Sequence, residues 1–180
     1  LAKNGIPGPT HLALAADILS SEVAEPLTYS EQPHKNIPNE LKPSKKLTKA
    51  FASAKTPLIL LGPSFGMPQY KGKLKELETQ LNTPVVTMES PRGFNDPRLG
   101  NIKSMIGLAD LIIVVGKPID FTLSYGSVDA FSANANWFVY ISSDELVTKA
   151  LGNLGNRLKE AKNIVPSAAI NMLQKMTHER

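Results

Sequence analysis

Cysteine is absent from the 180 residues of this chain. Its absence excludes disulfide bonds, thiolate metal sites and cysteine nucleophiles. The sequence also lacks an apolar run near the roughly 18–20 residues that span a membrane. It has no basic segment followed by an apolar stretch at its start, so it predicts no secretory signal peptide. We therefore expect no membrane partner and a reducing, cytoplasmic location.

Familiar catalytic motifs are missing as well. There is no G-x-S-x-G nucleophile elbow, no G-K-[ST] phosphate loop and no G-x-G-x-x-G dinucleotide motif. The three histidines, His11, His34 and His178, are dispersed, and none forms an H-x-x-x-H pair. The acidic residues form no spaced cluster for Mg²⁺ or Ca²⁺. We expect neither a catalytic residue nor a metal site in this chain.

What the sequence does contain is enough apolar material for one folded domain. Hydrophobic residues make up 42% of the chain, which is sufficient for a core. The formal charge is +4, with the lysines densest between Lys42 and Lys49. Because apolar residues alternate with these lysines at helical spacing, the group is typical of a solvated helix face. No aromatic interleaving accompanies it, so it indicates no nucleic-acid partner.

Composition divides the chain into three parts. Residues 1–20 contain a Gly/Pro turn cluster and a short apolar stretch, Thr10–Leu14, which we interpret as a strand whose sheet lies elsewhere. Residues 21–43 are rich in Ser, Glu and Pro, which predicts a linker. Residues 44–180 have the pattern of a folded domain. Because Leu1 is not an initiator methionine, we expect the chain to start inside a longer protein.

Strands and helices alternate in residues 44–180. Strands are predicted at residues 57–61, 84–87, 110–116 and 137–141, with a further short segment near 163–165. Helices are predicted at residues 45–54, with Ser44 as N-cap, and at 70–81, 102–109, 145–151 and from Ser167 onwards. Continuous apolar strands are typical of parallel sheets buried on both faces. The alternation predicts a three-layer α/β fold, a doubly wound parallel sheet with helices on both faces.

Ligands of such sheets bind at the carboxyl ends of the strands. The loops at those ends carry the candidate site residues Gly62, Ser64, Arg92, Gly93, Gly116, Lys117, Asp120, Ser143 and Asp144. Glycines allow a phosphate to approach backbone amides, and basic side chains supply positive charge. Acidic and hydroxyl groups accept or donate to ribose hydroxyls. A nucleotide groove is therefore one interpretation of these residue types.

Each candidate also has a purely structural interpretation. The glycine-bearing segment after Leu61 fits an ordinary strand-to-helix turn. Arg92 has Glu89 and Asp96 within reach for an ion pair. Asp120 has Lys117 three residues away, and Asp144 has the position of a helix cap.

The order of these segments resembles the central domain of thiamine-diphosphate enzymes such as acetolactate synthase, oxalyl-CoA decarboxylase and benzaldehyde lyase. Residues 8–19 are similar to the end of the family's first, pyrimidine-binding domain. Pro57–Gly62 is similar to the strand that opens the central domain, and Ala109–Gly116 matches the family's A-D-L-v-l-x-v-G. Ser90-Pro91-Arg92-Gly93 and the loop at residues 116–123 resemble the benzaldehyde-lyase-like, acetolactate-synthase-like branch most.

The resemblance implies a six-stranded parallel sheet (Rossmann-like) and, in some members, FAD or ADP bound by the loops named above. It also implies thiamine diphosphate and Mg²⁺ in a parent lyase, transferase or 2-oxo acid decarboxylase. The family's catalytic glutamate belongs to the first domain, and its G-D-G…N motif for Mg²⁺ belongs to the third. We therefore expect a chain that is inactive alone, contacts the preceding and following domains, and belongs to a dimeric or tetrameric parent.

Two departures from the family pattern argue against FAD. Ser142 takes the place of the first acid in I-D-x-D/E, leaving Asp144, and residues 100–109 lack the G-M-H-G loop. An alternative from another class is a stand-alone nucleotide-binding or regulatory module without a catalytic parent. A free NAD-dependent enzyme of sirtuin or dehydrogenase type fits worst, because the dinucleotide motif is absent.

Overall fold

Residues 9–22, the described part of the first of two structural units, contain one short helix. The computed structural model describes residues 9–22 and 40–176, and the chain divides into units of residues 1–36 and 37–180. Helix α1 (Ala16–Leu19) is the regular element of residues 9–22, all of which are exposed. Thr10–Leu14 forms no paired strand within the described residues, and its interpretation as a strand whose sheet lies elsewhere stays a prediction. A strand needs a partner for its backbone amides and carbonyls, and residues 9–22 provide none.

A five-stranded sheet forms the centre of the second unit. Its strands are β1 (Pro57–Leu61), β2 (Val85–Thr87), β3 (Leu111–Val115), β4 (Asn136–Ile141) and β5 (Leu158–Asn163). Their order is β2-β1-β3-β4-β5, and every neighbouring pair is parallel. The predicted doubly wound parallel sheet is confirmed. The expected six strands are one too many for the part of the chain that the structure describes.

Strand β5 is the element that the sequence pattern missed. It reads Leu-Lys-Glu-Ala-Lys-Asn and lies at the edge of the sheet, where it pairs with β4. Edge strands are half-exposed and carry charged side chains, so they lack the apolar run that marks a central strand. The short segment predicted near residues 163–165 is the end of this strand and the turn that follows it.

Helices cover both faces of the sheet. Helices α2 (Lys45–Ser53), α3 (Lys71–Leu81) and α6 (Pro166–Gln174) pack on one face, and α4 (Ile102–Leu108) and α5 (Asp144–Leu154) pack on the other. The predicted cap is confirmed, because the Ser44 hydroxyl accepts the Leu47 amide at 3.1 Å. Asn82, which follows the last residue of α3, has the left-handed conformation that ends a helix. None of the helices in residues 9–22 and 40–176 is long and apolar enough to cross a membrane.

Asp110 joins the amino ends of β1 and β3. Its carboxylate accepts the backbone amides of Lys55 at 2.7 Å and Thr56 at 3.0 Å. Partial burial raises the pKa of the Asp110 carboxyl, but these hydrogen bonds outweigh burial and hold the pKa below its ordinary value. The ionised carboxylate therefore stabilises the start of two central strands.

Asp110→Asn is expected to lower the free energy of unfolding by about 1 kcal/mol at neutral pH. Because the folded-state pKa is lowered, this stabilisation is present above the unfolded pKa of about 3.9 and is lost as pH falls through the folded pKa. The deficit of the variant should therefore shrink below pH 4. Urea unfolding at several pH values measures it, with exposed Asp129→Asn as the control. A deficit that persists unchanged at acid pH would contradict a role for the charge.

Candidate functional site

The loops after β1 and β3 meet at the point where the strand order reverses. Gly62 follows β1 and donates its amide to the Val115 carbonyl at 2.8 Å. Gly116 follows β3 and donates its amide to Tyr140 at 2.8 Å. A Cβ on Gly62 would lie 1.9 Å from the Gly116 carbonyl oxygen. The two backbones are in direct contact, so no ligand group fits between them.

Two further segments close over Gly116. This residue has φ +66°, and a Cβ added to it would lie 3.2 Å from the Pro166 ring and 3.4 Å from Phe65. Phe65 is buried in the 3-10 turn Pro63–Gly66 that follows β1. Ser64 is exposed in that turn. The small residues after β1 thus form an ordinary turn between the strand and the following helix, which was the structural alternative to a phosphate site.

The loop after β2 packs against the loop after β3. Gly93 has φ +57°, and a Cβ on it would lie 1.9 Å from the Thr122 carbonyl oxygen. Its amide donates to Ser90 at 3.0 Å. Arg92 is exposed, and within residues 40–176 its guanidinium forms no ion pair with Glu89 or Asp96. The predicted ion pair of Arg92 with Glu89 or Asp96 is therefore not formed, although the charge of Arg92 still acts on Asp96.

Asp96 instead fixes its own loop. Hydrogen bonds from the Ser90 hydroxyl and the Arg98 amide lower the pKa of the Asp96 carboxyl, with a smaller contribution from the charge of Arg92. The Arg98 amide lies 3.0 Å from Asp96 Oδ1. The side chain of Arg92 is left exposed at the surface of this loop.

Lys117 and Asp120 form a largely buried ion pair. The Lys117 residue is 6% exposed, and its Nζ lies 3.3 Å from Asp120 Oδ1 and 3.4 Å from Oδ2. Asp120 also accepts the Thr122 amide at 3.0 Å and the Thr122 hydroxyl. Of the two roles considered for Asp120, the structure forms the pair with Lys117. The lysine charge is neutralised within the protein.

A run of left-handed backbone follows this ion pair. Ser124, Tyr125 and Gly126 have φ of 44°, 52° and 71°, a conformation that costs free energy for residues other than glycine. The Tyr125 amide donates to the Asp120 carbonyl at 2.8 Å, and an Arg157 N–H donates to the Gly126 carbonyl. The sequence showed only a long polar loop here, and Gly126 is the one glycine in it.

Ser143 and Asp144 begin helix α5. The Ser143 hydroxyl accepts the Leu146 amide at 3.3 Å and is the N-cap. The interpretation of Asp144 as the cap was wrong by one residue, because Asp144 is the first residue of the helix. Its carboxylate accepts the Asn163 side-chain amide at 2.8 Å, which joins α5 to the end of β5. Asn163 carried no sequence signal for this contact.

The candidate residues therefore lie at the carboxyl edge of the sheet, and most of them are engaged by the protein itself. Lys117 pairs with Asp120, whereas Ser64 and Arg92 are exposed. The amides of Gly62, Gly93 and Gly116 all donate to carbonyls of the protein, whereas a phosphate cradle needs free amides. Residues 9–22 and 40–176 contain no group of three His, Asp or Glu side chains that could hold a metal ion. The described residues thus fit neither a phosphate cradle at these glycines nor a Mg²⁺ site.

The family comparison decides what kind of domain this is. The family described as "Thiamine pyrophosphate enzyme, central domain" matches residues 44–168. The chain belongs to this family. The sheet, its helices and the candidate loops therefore belong to a central domain of this family. A comparison with curated protein sequences gave no match.

Solved structures share the fold of this central domain. One is the thiamine diphosphate-dependent 4-hydroxybenzoylformate decarboxylase of Rhodococcus jostii RHA1, at 19% identity and a TM-score of 0.52, covering 92% of this chain and 31% of that chain. Another, from Mycobacterium smegmatis, is described as a thiamin diphosphate-dependent enzyme; it has 15% identity and a TM-score of 0.53, covering 75% of this chain and 28% of that chain. The chain spans under a third of either structure.

Proposed function

We propose that this chain is the scaffolding central part of a larger thiamine-diphosphate-dependent lyase, transferase or 2-oxo acid decarboxylase. Residues 44–180 are the central domain, residues 1–20 end the preceding domain, and residues 21–43 link the two. The family match over residues 44–168 supports this proposal. In such an enzyme, thiamine diphosphate supplies the electron sink for bond changes next to a carbonyl.

The observation that carries the scaffolding role is the closed set of bonds at the carboxyl edge of the sheet. Backbone contact joins Gly62 to Gly116, and the pair Lys117–Asp120 satisfies the buried charge beside them. Groups bonded in this way hold loops in place and leave little for a substrate. We assign thiamine diphosphate and Mg²⁺ to the neighbouring domains of a cytoplasmic homo-oligomer, and no step of the reaction to this chain.

The coding sequence on both sides of this chain tests the proposal. We expect an upstream catalytic glutamate and a downstream G-D-G…N motif in one open reading frame. An assay of the purified chain should give no thiamine-diphosphate-dependent turnover of a 2-oxo acid, and the full-length protein should restore it. An open reading frame without either motif would eliminate the proposal and leave the stand-alone module.

Nucleotide binding is the second candidate function. The exposed side chains of Ser64 and Arg92 favour it, since both stand free at the carboxyl edge. The engaged amides of Gly62, Gly93 and Gly116 oppose it. We propose that ADP or FAD binds this domain weakly and that Arg92, at the surface of the loop, contacts its phosphate. Ser143 and Asp144 do not contact the nucleotide, because their side chains bond within the protein at the start of helix α5.

Calorimetry with ADP, FAD and CoA on the purified chain is expected to give dissociation constants weaker than about 0.1 mM. Any affinity for ADP should fall in Arg92→Gln, because a guanidinium fork contacts phosphate strongly. Arg98→Gln is the matched control, since Arg98 is exposed in the same loop. Sub-micromolar affinity for FAD would show that the glycine loops open to admit a nucleotide.

A further inference from the structure

A cavity of about 840 Å³ lies at the opposite, amino edge of the sheet. Helix α2 forms one wall, and the end of α5 with the start of β5 forms the other. Its accessible apolar surface comes from Leu158 at the start of β5 and from Leu151 on α5, which is 58% exposed. Phe138 of β4 lies beneath this surface and is fully buried. The volume lies in the range of small-molecule sites, which is about 300–1,000 Å³.

Three lysines and no carboxylate line this cavity. Lys46 and Lys49 come from α2, one turn apart, and Lys159 comes from β5. Neither Lys46 nor Lys49 forms an ion pair within the described residues, and the Lys159 ammonium donates to the Asn156 carbonyl at 2.7 Å. The charge of the lining is therefore uncompensated by any acid of the cavity wall.

An irregularity in the sheet places Lys159 at the cavity. Trp137 pairs with Leu158, but the next residue of β4, Phe138, pairs with Glu160. Lys159 is therefore an extra residue of a β-bulge, a feature that is rare between parallel strands and that redirects a side chain. The bulge lies at the amino end of β5, where that strand, β4 and α2 surround the cavity.

We propose that this cavity binds an organic phosphate monoester with an apolar or aromatic body. A phosphate monoester carries close to two negative charges at neutral pH, which three lysine ammonium groups match, and lysine binds phosphate as a point charge. The apolar surface of Leu151 and Leu158 takes the body of the ligand. This site is separate from the carboxyl-edge loops and does not depend on the proposed catalytic parent.

Titration of the purified chain with 1-naphthyl phosphate tests the proposal. We expect saturable binding that weakens about threefold to fivefold in each of Lys46→Gln, Lys49→Gln and Lys159→Gln, because each removes one partly exposed charge. Lys71→Gln and Lys75→Gln on α3 are matched controls and should bind as the parent chain does. All five lysines are exposed, so circular dichroism should show each variant folded.

Two further ligands separate the charge from the apolar body. Inorganic phosphate and 1-naphthol should each bind at least about tenfold more weakly than 1-naphthyl phosphate. Inorganic phosphate lacks the aromatic body, and 1-naphthol lacks the negative charge. Absence of saturable binding, or equal binding by the lysine variants and their controls, would overturn the proposal. Binding that is lost in Arg92→Gln instead would assign the ligand to the carboxyl edge.

Discussion

Replacement of Gly62 by alanine is expected to lower the free energy of unfolding by about 3 kcal/mol. The new Cβ would lie 1.9 Å from the Gly116 carbonyl oxygen and 2.6 Å from its carbonyl carbon. Both atoms belong to the backbone, so no flexible side chain can move aside. Relief requires the ends of β1 and β3, two central strands, to separate. Urea unfolding followed by circular dichroism measures the loss.

Gly72→Ala is the control for this substitution. Gly72 lies in α3, and a Cβ added there has no neighbour within 4 Å. Alanine is the better helix former, so the control should gain about 0.5–1 kcal/mol. If Gly62→Ala unfolds at the same urea concentration as the unaltered chain, the two loops are not in contact. Gly62 would then be available to a ligand, as its sequence position suggests.

The sequence revealed the central part of the sheet because burial leaves a clear composition. Strands β1 and β3 are buried at every position, and continuous apolar runs are what such burial demands. Ser44 was identifiable as a cap because the cap is a local interaction with the next turn of the helix. Elements set by local propensity or by complete burial were therefore predicted from the sequence.

Elements that depend on their position in the sheet were not predicted from the sequence. Strand β5 is polar because it lies at an edge, and Thr10–Leu14 is apolar but forms no strand. In both cases the polarity of the side chains does not indicate whether the backbone pairs with another strand. Whether a segment pairs is decided by distant neighbours, which a local pattern does not contain.

The candidate site shows the same division. A glycine after a strand is needed both where a phosphate approaches the backbone and where another backbone does. Gly62 and Gly93 serve the second purpose, against Gly116 and Thr122. The sequence placed these residues at the correct edge of the sheet, but the choice between the two roles depends on contacts between loops of different strands.

The amino-edge cavity was even less visible. Its lysines on α2 have the pattern of an ordinary solvated helix face. Their significance depends on the bulge at Lys159 and on the packing of α2 against β5, which are more than 100 residues apart in sequence. A group of charges becomes a candidate site only when the fold adds apolar walls.

Asp120→Ala is expected to lower the free energy of unfolding by about 2 kcal/mol. The substitution leaves the Lys117 ammonium, whose side chain is 7% exposed, without its carboxylate. It also removes the acceptor for the Thr122 amide and hydroxyl. Because a third of the Asp120 side chain is exposed, solvent screens part of the charge, and we expect less than a fully buried pair would lose. Urea unfolding at neutral pH provides the measurement.

A double-mutant cycle separates the charge pair from the loop hydrogen bonds. Asp120→Asn keeps an acceptor for Thr122 but removes the charge, and Lys117→Met removes the ammonium while keeping the length of the side chain. Each single variant should lose about 1–2 kcal/mol, and the double variant should recover most of the sum, because no buried charge is left unpaired. If Lys117→Met unfolds like the unaltered chain but binds ADP more weakly, the lysine is a ligand group and the structural pairing is secondary.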